Sequence, residues 1–223
     1  MSAFLPVKKQ IDALKLIQRR PLLITDADEV LLQFVAGLES FLTKKGLWLD
    51  LTSYHLAGNI KRQTSNEDYP HEEIAELITE FLVQGVSSLQ PVPGAAETLH
   101  HLSRRLQIVI LTNLPTKLQP VREKHLARHG MPYPVIVNEG NKGRAAKYFF
   151  DRVQAPVFFL DDAPQHLMSV KEWLETCFCI HFVSDDRLAR LTEVPSTVDH
   201  KAKSWLDIER VITKQLDKIS SEP

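Results

Sequence analysis

Apolar and polar positions follow two rhythms along this chain. Five short runs are almost wholly apolar, β-branched or aromatic: LLIT at Leu22–Thr25, IVILT at 108–112, VIVN at Val135–Asn138, VFFL at 157–160 and CFCIHFV at 177–183. Near-continuous apolar strands of this kind predict a sheet covered on both faces. Between most of them lie segments with helical spacing, GAAETLHHLSRR, LQPVREKHLARHG, GRAAKYFFDRV and QHLMSVKEWLE. The alternation is β-α-β-α, which implies parallel strands. A last helical segment, SWLDIERVITKQL, repeats Trp205, Ile208, Ile212 and Leu216 on one stripe and is expected to dock on the sheet. The predicted fold class is a three-layer α/β sandwich around a central parallel, Rossmann-like sheet.

One interval breaks the rhythm. Roughly 80 residues separate the first strand from the second, several times an ordinary crossover. The interval carries two helical stripes, Leu31, Phe34, Val35, Leu38, Phe41 and Leu42, then Ile74, Leu77, Ile78, Phe81 and Leu82. Pro70 before HEEIAEL marks a helix start, and PVPG at 91–94 punctuates the return. The expected organisation is a core formed by 1–30 and 91–223, with a small α-helical cap at 31–90.

Composition narrows the class further. With 223 residues the chain buries a core without staples. Its 27 basic and 28 acidic residues give a net charge of -1, which provides no field for a nucleic acid or a membrane surface. Cys177 and Cys179 sit on alternate positions of an apolar run and read as buried thiols of a reducing cytosol. The N-terminal stretch is too broken by charge for a secretory or membrane-spanning segment, so a cytoplasmic location is expected. The nine histidines show no zinc-ligand spacing.

Ligands of open parallel sheets bind at the carboxyl ends of the strands. Here those ends carry Asp26-Ala27-Asp28, Thr112-Asn113 and Asp161-Asp162, and Lys142 follows the third strand. Asp26, Asp28 and Asp162 gathered on one rim would repel one another unless a cation lay among them, and an all-oxygen set suits Mg²⁺. Phosphoryl transfer needs a nucleophile, charge neutralisation and a proton donor for the leaving oxygen. Asp26 can attack phosphorus to give an aspartyl-phosphate, and Asp28 can protonate the leaving group and then activate water. Thr112 and the Asn113 amide can bind phosphate oxygens, with Lys142 balancing the charge.

On these residues the chain resembles the haloacid dehalogenase-like superfamily. Its first motif, an apolar strand then D-x-D-x-[TV], matches LLITDADEV; its second, a strand then [ST]-N, matches QIVILTN; its fourth, a strand then D-D, matches VFFLDD. The resemblance covers roughly 21–183. It implies metal ligation by the Asp26 carboxylate, the Asp28 backbone carbonyl and Asp162, with Asp161 in support, and a helical cap that closes over small substrates. For the third motif Lys142 and Lys147 cannot both face the rim, because five residues along a helix turn by about 140°; Lys142 is preferred as the nearer to the helix start, and Arg144 lies close by. Glu29 is expected to be solvated near a helix start. His55, Asn59, Arg62 and Trp48 are cap positions that could reach a substrate. The expected activity is Mg²⁺-dependent hydrolysis of a small phosphorylated metabolite. A phosphomutase or a non-catalytic binding protein on the same scaffold is the alternative, and whether the protein is a monomer or a homodimer stays open. Asp28 counts against a dehalogenase or a phosphonate hydrolase, neither of which needs a second aspartate there.

Overall fold

A computed structural model describes residues 4–54 and 58–221. After helix α1 (Leu5–Asp12), strand β1 (Leu22–Thr25) enters the middle of a six-stranded sheet. Its partners are β4 (Gln107–Asn113), β5 (Val135–Asn138), β6 (Val157–Asp161), β7 (Phe178–His181) and β8 (His200–Lys201), numbered after two cap strands described below. The spatial order is β5-β4-β1-β6-β7-β8 and every pairing is parallel. All five predicted strands are present. The two-residue edge strand β8 was not foreseen, being too short to leave a pattern.

Alternation along the strands divides the core in two. Leu23, Ile108, Ile110, Phe158 and Leu160 face one cluster, whereas Leu22, Ile24, Val109, Leu111, Val157 and Phe159 face the other. Each face is covered by helices, which makes the three layers. Cys177 and Cys179 are free thiols buried in the second cluster. Helices α4 (Ala95–Leu102), α5 (Gln119–Arg128), α6 (Gly143–Val153) and α7 (Pro164–Trp173) connect the strands; α8 (Asp186–Leu191) precedes β8. Helix α9 (Trp205–Ser221) closes the fold, burying Trp205, Ile208, Ile212 and Leu216 as the spacing predicted. The Trp205 indole donates to the Val30 carbonyl at 3.1 Å, so the last helix is tied to the segment leaving β1.

Between β1 and α4 lies the cap, with α2 (Phe34–Lys44) and α3 (Ile74–Gly85) on the two predicted stripes. It is less purely helical than expected: β2 (Leu47–Leu49) and β3 (Ile60–Arg62) pair antiparallel between the helices. Three-residue strands carry too few positions for a period to show. Phe81 of α3 packs edge-on against Phe34 of α2. The outgoing and returning chains are joined to each other, Gln33 N–H to the Gln90 carbonyl at 2.9 Å and Val92 N–H to the Leu31 carbonyl at 2.8 Å. No helix among the described residues is long and apolar enough to cross a membrane.

Candidate active site

Strand order decides which side chains meet. Because β1 lies between β4 and β6, with Thr25 level with Ile110 on one side and Leu160 on the other, the ends of these three strands form one rim. Asp26 continues the ladder by donating its N–H to the Leu160 carbonyl at 2.8 Å. Asp26, Asp161 and Asp162 offer carboxylate oxygens that all lie within 4.8 Å of one another. Thr112, buried, and Asn113, exposed, end the neighbouring strand β4. The Asn113 side chain is anchored sideways, donating to the Gly140 carbonyl at 3.0 Å and accepting from Asn138 at 2.9 Å.

Lys142 closes the group from the start of α6. Its ammonium donates to Asp26 Oδ1 at 2.6 Å and to Asp161 Oδ2 at 2.8 Å, with the side chain 1 % exposed. Its position depends on the residue beside it. A Cβ at Gly143 would lie 2.1 Å from the Ser169 carbonyl oxygen of α7, so only glycine lets the two helices approach this closely. Lys147 points elsewhere, to an exposed ion pair with Asp151 in the next turn. The lysine preferred from spacing is the one at the rim.

The electrostatics are those of an acidic centre with too little positive charge. Three carboxylates face one ammonium, so full ionisation would leave two negative charges. Burial raises the Asp26 carboxyl to about 6; Lys142 opposes the rise, and the neighbouring carboxylates add to it. Burial likewise raises Asp161, and it raises Asp162 well above the ordinary range with Asp161 and Asp26 contributing. For Lys142 burial works against the charged form, but Asp161 and Asp26 outweigh it and hold the ammonium above its usual value. A divalent cation would neutralise this set, and the donors are the hard oxygens that Mg²⁺ prefers. Asp161 is the most committed member, since its second oxygen accepts from the Ala163 N–H at 3.0 Å.

Asp28 stands apart from the cluster. Its carboxylate is gripped by Arg122 of α5, Nη1 to Oδ1 at 2.7 Å and Nη2 to Oδ2 at 3.3 Å, and Arg122 is wholly buried. The longer contact leaves Oδ2 the less committed oxygen. Sequence reading missed Arg122. The signal was present in the composition of α5, whose buried positions Arg122, His125 and Leu126 keep i, i+3, i+4 spacing although two of them are polar. His125 bonds through Nε2 to the Leu89 carbonyl at 2.7 Å, so one helix holds both Asp28 and the chain returning from the cap.

Glu29 corrects its expectation. It is buried, not solvated, and accepts three hydrogen bonds, from Val35 N–H at 2.7 Å, Ser184 Oγ at 2.7 Å and Asp185 N–H at 2.9 Å. Its backbone is left-handed, with φ of 58°, which turns the side chain back under α2. Among the suggested cap residues, Asn59 is buried and spends its amide on Thr52 and Ser53 within its own loop. Trp48 and Arg62 lie on the ribbon, under Lys61 and beside Tyr69 respectively. His55 lies outside the described residues. Among the described residues, Tyr54 of the cap does reach the rim, its hydroxyl standing 3.4 Å from Asp162 Oδ2. It belongs to a loop without periodicity, and nothing in its surroundings marked it.

With this geometry in place, comparison with known proteins bears on the fold. No family model matches the chain, and no curated protein matches it in sequence. Solved structures do. A HAD family hydrolase from Deinococcus radiodurans R1, with bound phosphate and sodium, superposes with a TM-score of 0.59 at 16% identity over 88% of this chain and 96% of its own. An L-2-haloacid dehalogenase gives 0.57 at 12% identity over 87% and 99%. A haloacid dehalogenase-like family protein of Streptococcus pneumoniae gives 0.56 at 14% identity over 86% and 98%. The chain has the haloacid dehalogenase-like fold, with a cap inserted after the first strand. That fold hosts more than one chemistry, so the activity must be argued from the site.

Proposed function

We propose that this protein is a Mg²⁺-dependent phosphatase that hydrolyses a small phosphate monoester through a phosphorylated Asp26. The observation that carries the reading is the placement of Asp26, at the end of the central strand, 2.6 Å from a buried lysine and within 4.8 Å of two further aspartates. Asp26 supplies the nucleophile, and Lys142 holds it while compensating the charge gathered on the intermediate. Asp26 and Asp162 are the carboxylates suited to hold the metal, with Asp161 bracing Lys142; Mg²⁺, when bound, neutralises the cluster and the phosphoryl oxygens together. Thr112 and the Asn113 amide, at the adjacent strand end, would bind phosphate oxygens. Asp28 gives a proton to the leaving oxygen and takes one from the attacking water, held in place by Arg122.

Asp28 is also what favours phosphate over a halogenated acid, because a halide leaves without a proton. The substrate class we assign is a small phosphorylated metabolite, and two buried free thiols favour a reducing, cytoplasmic setting. The test is release of inorganic phosphate from a panel of phosphorylated metabolites with and without Mg²⁺, alongside Asp26→Asn. Activity is expected only with Mg²⁺ and only with Asp26 intact. Near-wild-type turnover in a folded Asp26→Asn protein would overturn the mechanism.

A further inference from the structure

A cleft of about 280 Å³ opens between the cap and the core beside the aspartate rim. Its walls are Phe34, Val35 and Leu38 of α2, Leu49 and Leu51 of the ribbon region, and Leu188 of α8. Asp28, Asp162, Glu29 and Tyr54 are its polar residues. The position of Asp28 tells which end of a substrate belongs here. If Asp28 protonates the leaving oxygen, the group attached to that oxygen continues from Asp28 into this cleft.

The chemistry of the walls then selects the group. Among the described residues the lining contains no lysine, arginine or histidine, so none of them pairs with an anionic substituent. Of its three carboxylates, Asp28 is paired with Arg122, Glu29 accepts from three donors, and Asp162 belongs to the cluster that would hold the metal in the proposed reaction. With a metal ion taking up the charge of Asp162, an ammonium group would find no free counter-charge among these three. A polyhydroxylated group would set most of its hydroxyls against leucine, valine and phenylalanine, at a cost of about 1–3 kcal/mol for each hydroxyl left without a partner. An apolar group meets none of these penalties. Phe34 is fixed by its edge-on contact with Phe81, so that wall is formed before a ligand arrives.

We propose that this cleft receives the leaving group and that the substrate is the monophosphate ester of an uncharged, predominantly apolar alcohol. This rests on the phosphatase reading of the site and goes beyond it in naming the substrate class.

The test compares alkyl esters, whose leaving groups are less activated than aryl ones: n-hexyl phosphate, phosphoglycolate, glucose 6-phosphate and phosphoethanolamine, assayed on the whole protein with Mg²⁺. The value of kcat/KM for n-hexyl phosphate is expected to exceed the others by about tenfold or more. Leu51→Lys, at a half-buried wall position, should lower kcat/KM for n-hexyl phosphate and raise it for phosphoglycolate; Leu51→Ala, which adds no charge, should lower the first without raising the second. Calorimetric binding of n-hexylphosphonate against phosphonoacetate supplies a readout without turnover, with tighter binding of the former expected. A preference for the anionic, sugar or cationic ester would overturn the leaving-group assignment and leave the phosphatase reading standing. Absence of phosphate release from every ester, with n-hexylphosphonate still the tighter ligand, would overturn the phosphatase reading and keep the cleft as an apolar site. Neither release nor preferential binding would sink both.

Discussion

Lys142 bridges Asp26 and Asp161, with its ammonium 2.6 Å from one carboxylate and 2.8 Å from the other. All three side chains are buried, so the lysine cannot be removed without leaving two carboxylates facing each other out of water. Breaking a buried pair in this way costs about 3–5 kcal/mol. Lys142→Met is therefore expected to lower stability by that order at neutral pH and to reduce kcat by about a hundredfold or more. Lys147→Met, removing an exposed partner of Asp151, should change stability by less than about 0.5 kcal/mol and leave turnover intact. Denaturant melts and phosphate-release assays on the two variants make the comparison, and a functional Lys142→Met would refute the assignment.

Without metal, Asp26 should make the protein less stable as pH rises. Its folded carboxyl titrates at about 6 against an ordinary value of 3.8, so the native state keeps a proton that the unfolded chain has lost. Protons bound by the native state exceed those bound by the unfolded state in that window, and stability falls as pH climbs from about 4 through 6. Mg²⁺, which binds the ionised form, should raise Tm more at about pH 7.5 than at about pH 5. Asp26→Asn should lose less stability than wild type over the same rise in metal-free buffer. Equal Mg²⁺ effects at both pH values would contradict this account.

Arg122 touches Asp28 and is itself wholly buried, so in the proposed reaction it would act through Asp28. Arg122→Met should destabilise the fold by about 2–3 kcal/mol, because a partly buried carboxylate loses its charged donors. It should lower kcat with little change in KM. Adding Asp28→Asn to Arg122→Met should recover part of the stability, which a double-mutant cycle reads as coupling between the two sites. Strict additivity in that cycle would show that the pair does not act as one unit.

Much of this architecture could be read from residue order, for a physical reason. Parallel strands covered on both faces, such as 108–111 and 157–160, are apolar at every position and stand out from the helices between them. Once those strands are found, their carboxyl ends nominate Asp26, Thr112, Asn113, Asp161 and Asp162 together. Lys142 follows from lying nearest the start of α6. What escaped depends on tertiary context. Glu29 looks like an ordinary acidic residue until its left-handed backbone folds it beneath α2. Arg122 sits in a helix of mostly polar composition and only packing against Asp28 gives it a partner. Tyr54 approaches Asp162 from a loop, where no period exists to be read.

The paired chains that enter and leave the cap, joined at Gln33 to Gln90 and at Leu31 to Val92, lie only a few residues beyond Asp28. They form a single two-stranded axle. A tilt of α2 and α3 against the sheet would be constrained by these two hydrogen bonds, close to the carboxylate to which the proposed function gives proton transfer. In the proposed phosphatase, admission of a substrate and alignment of Asp28 would share this one joint, on which His125 bears through the Leu89 carbonyl.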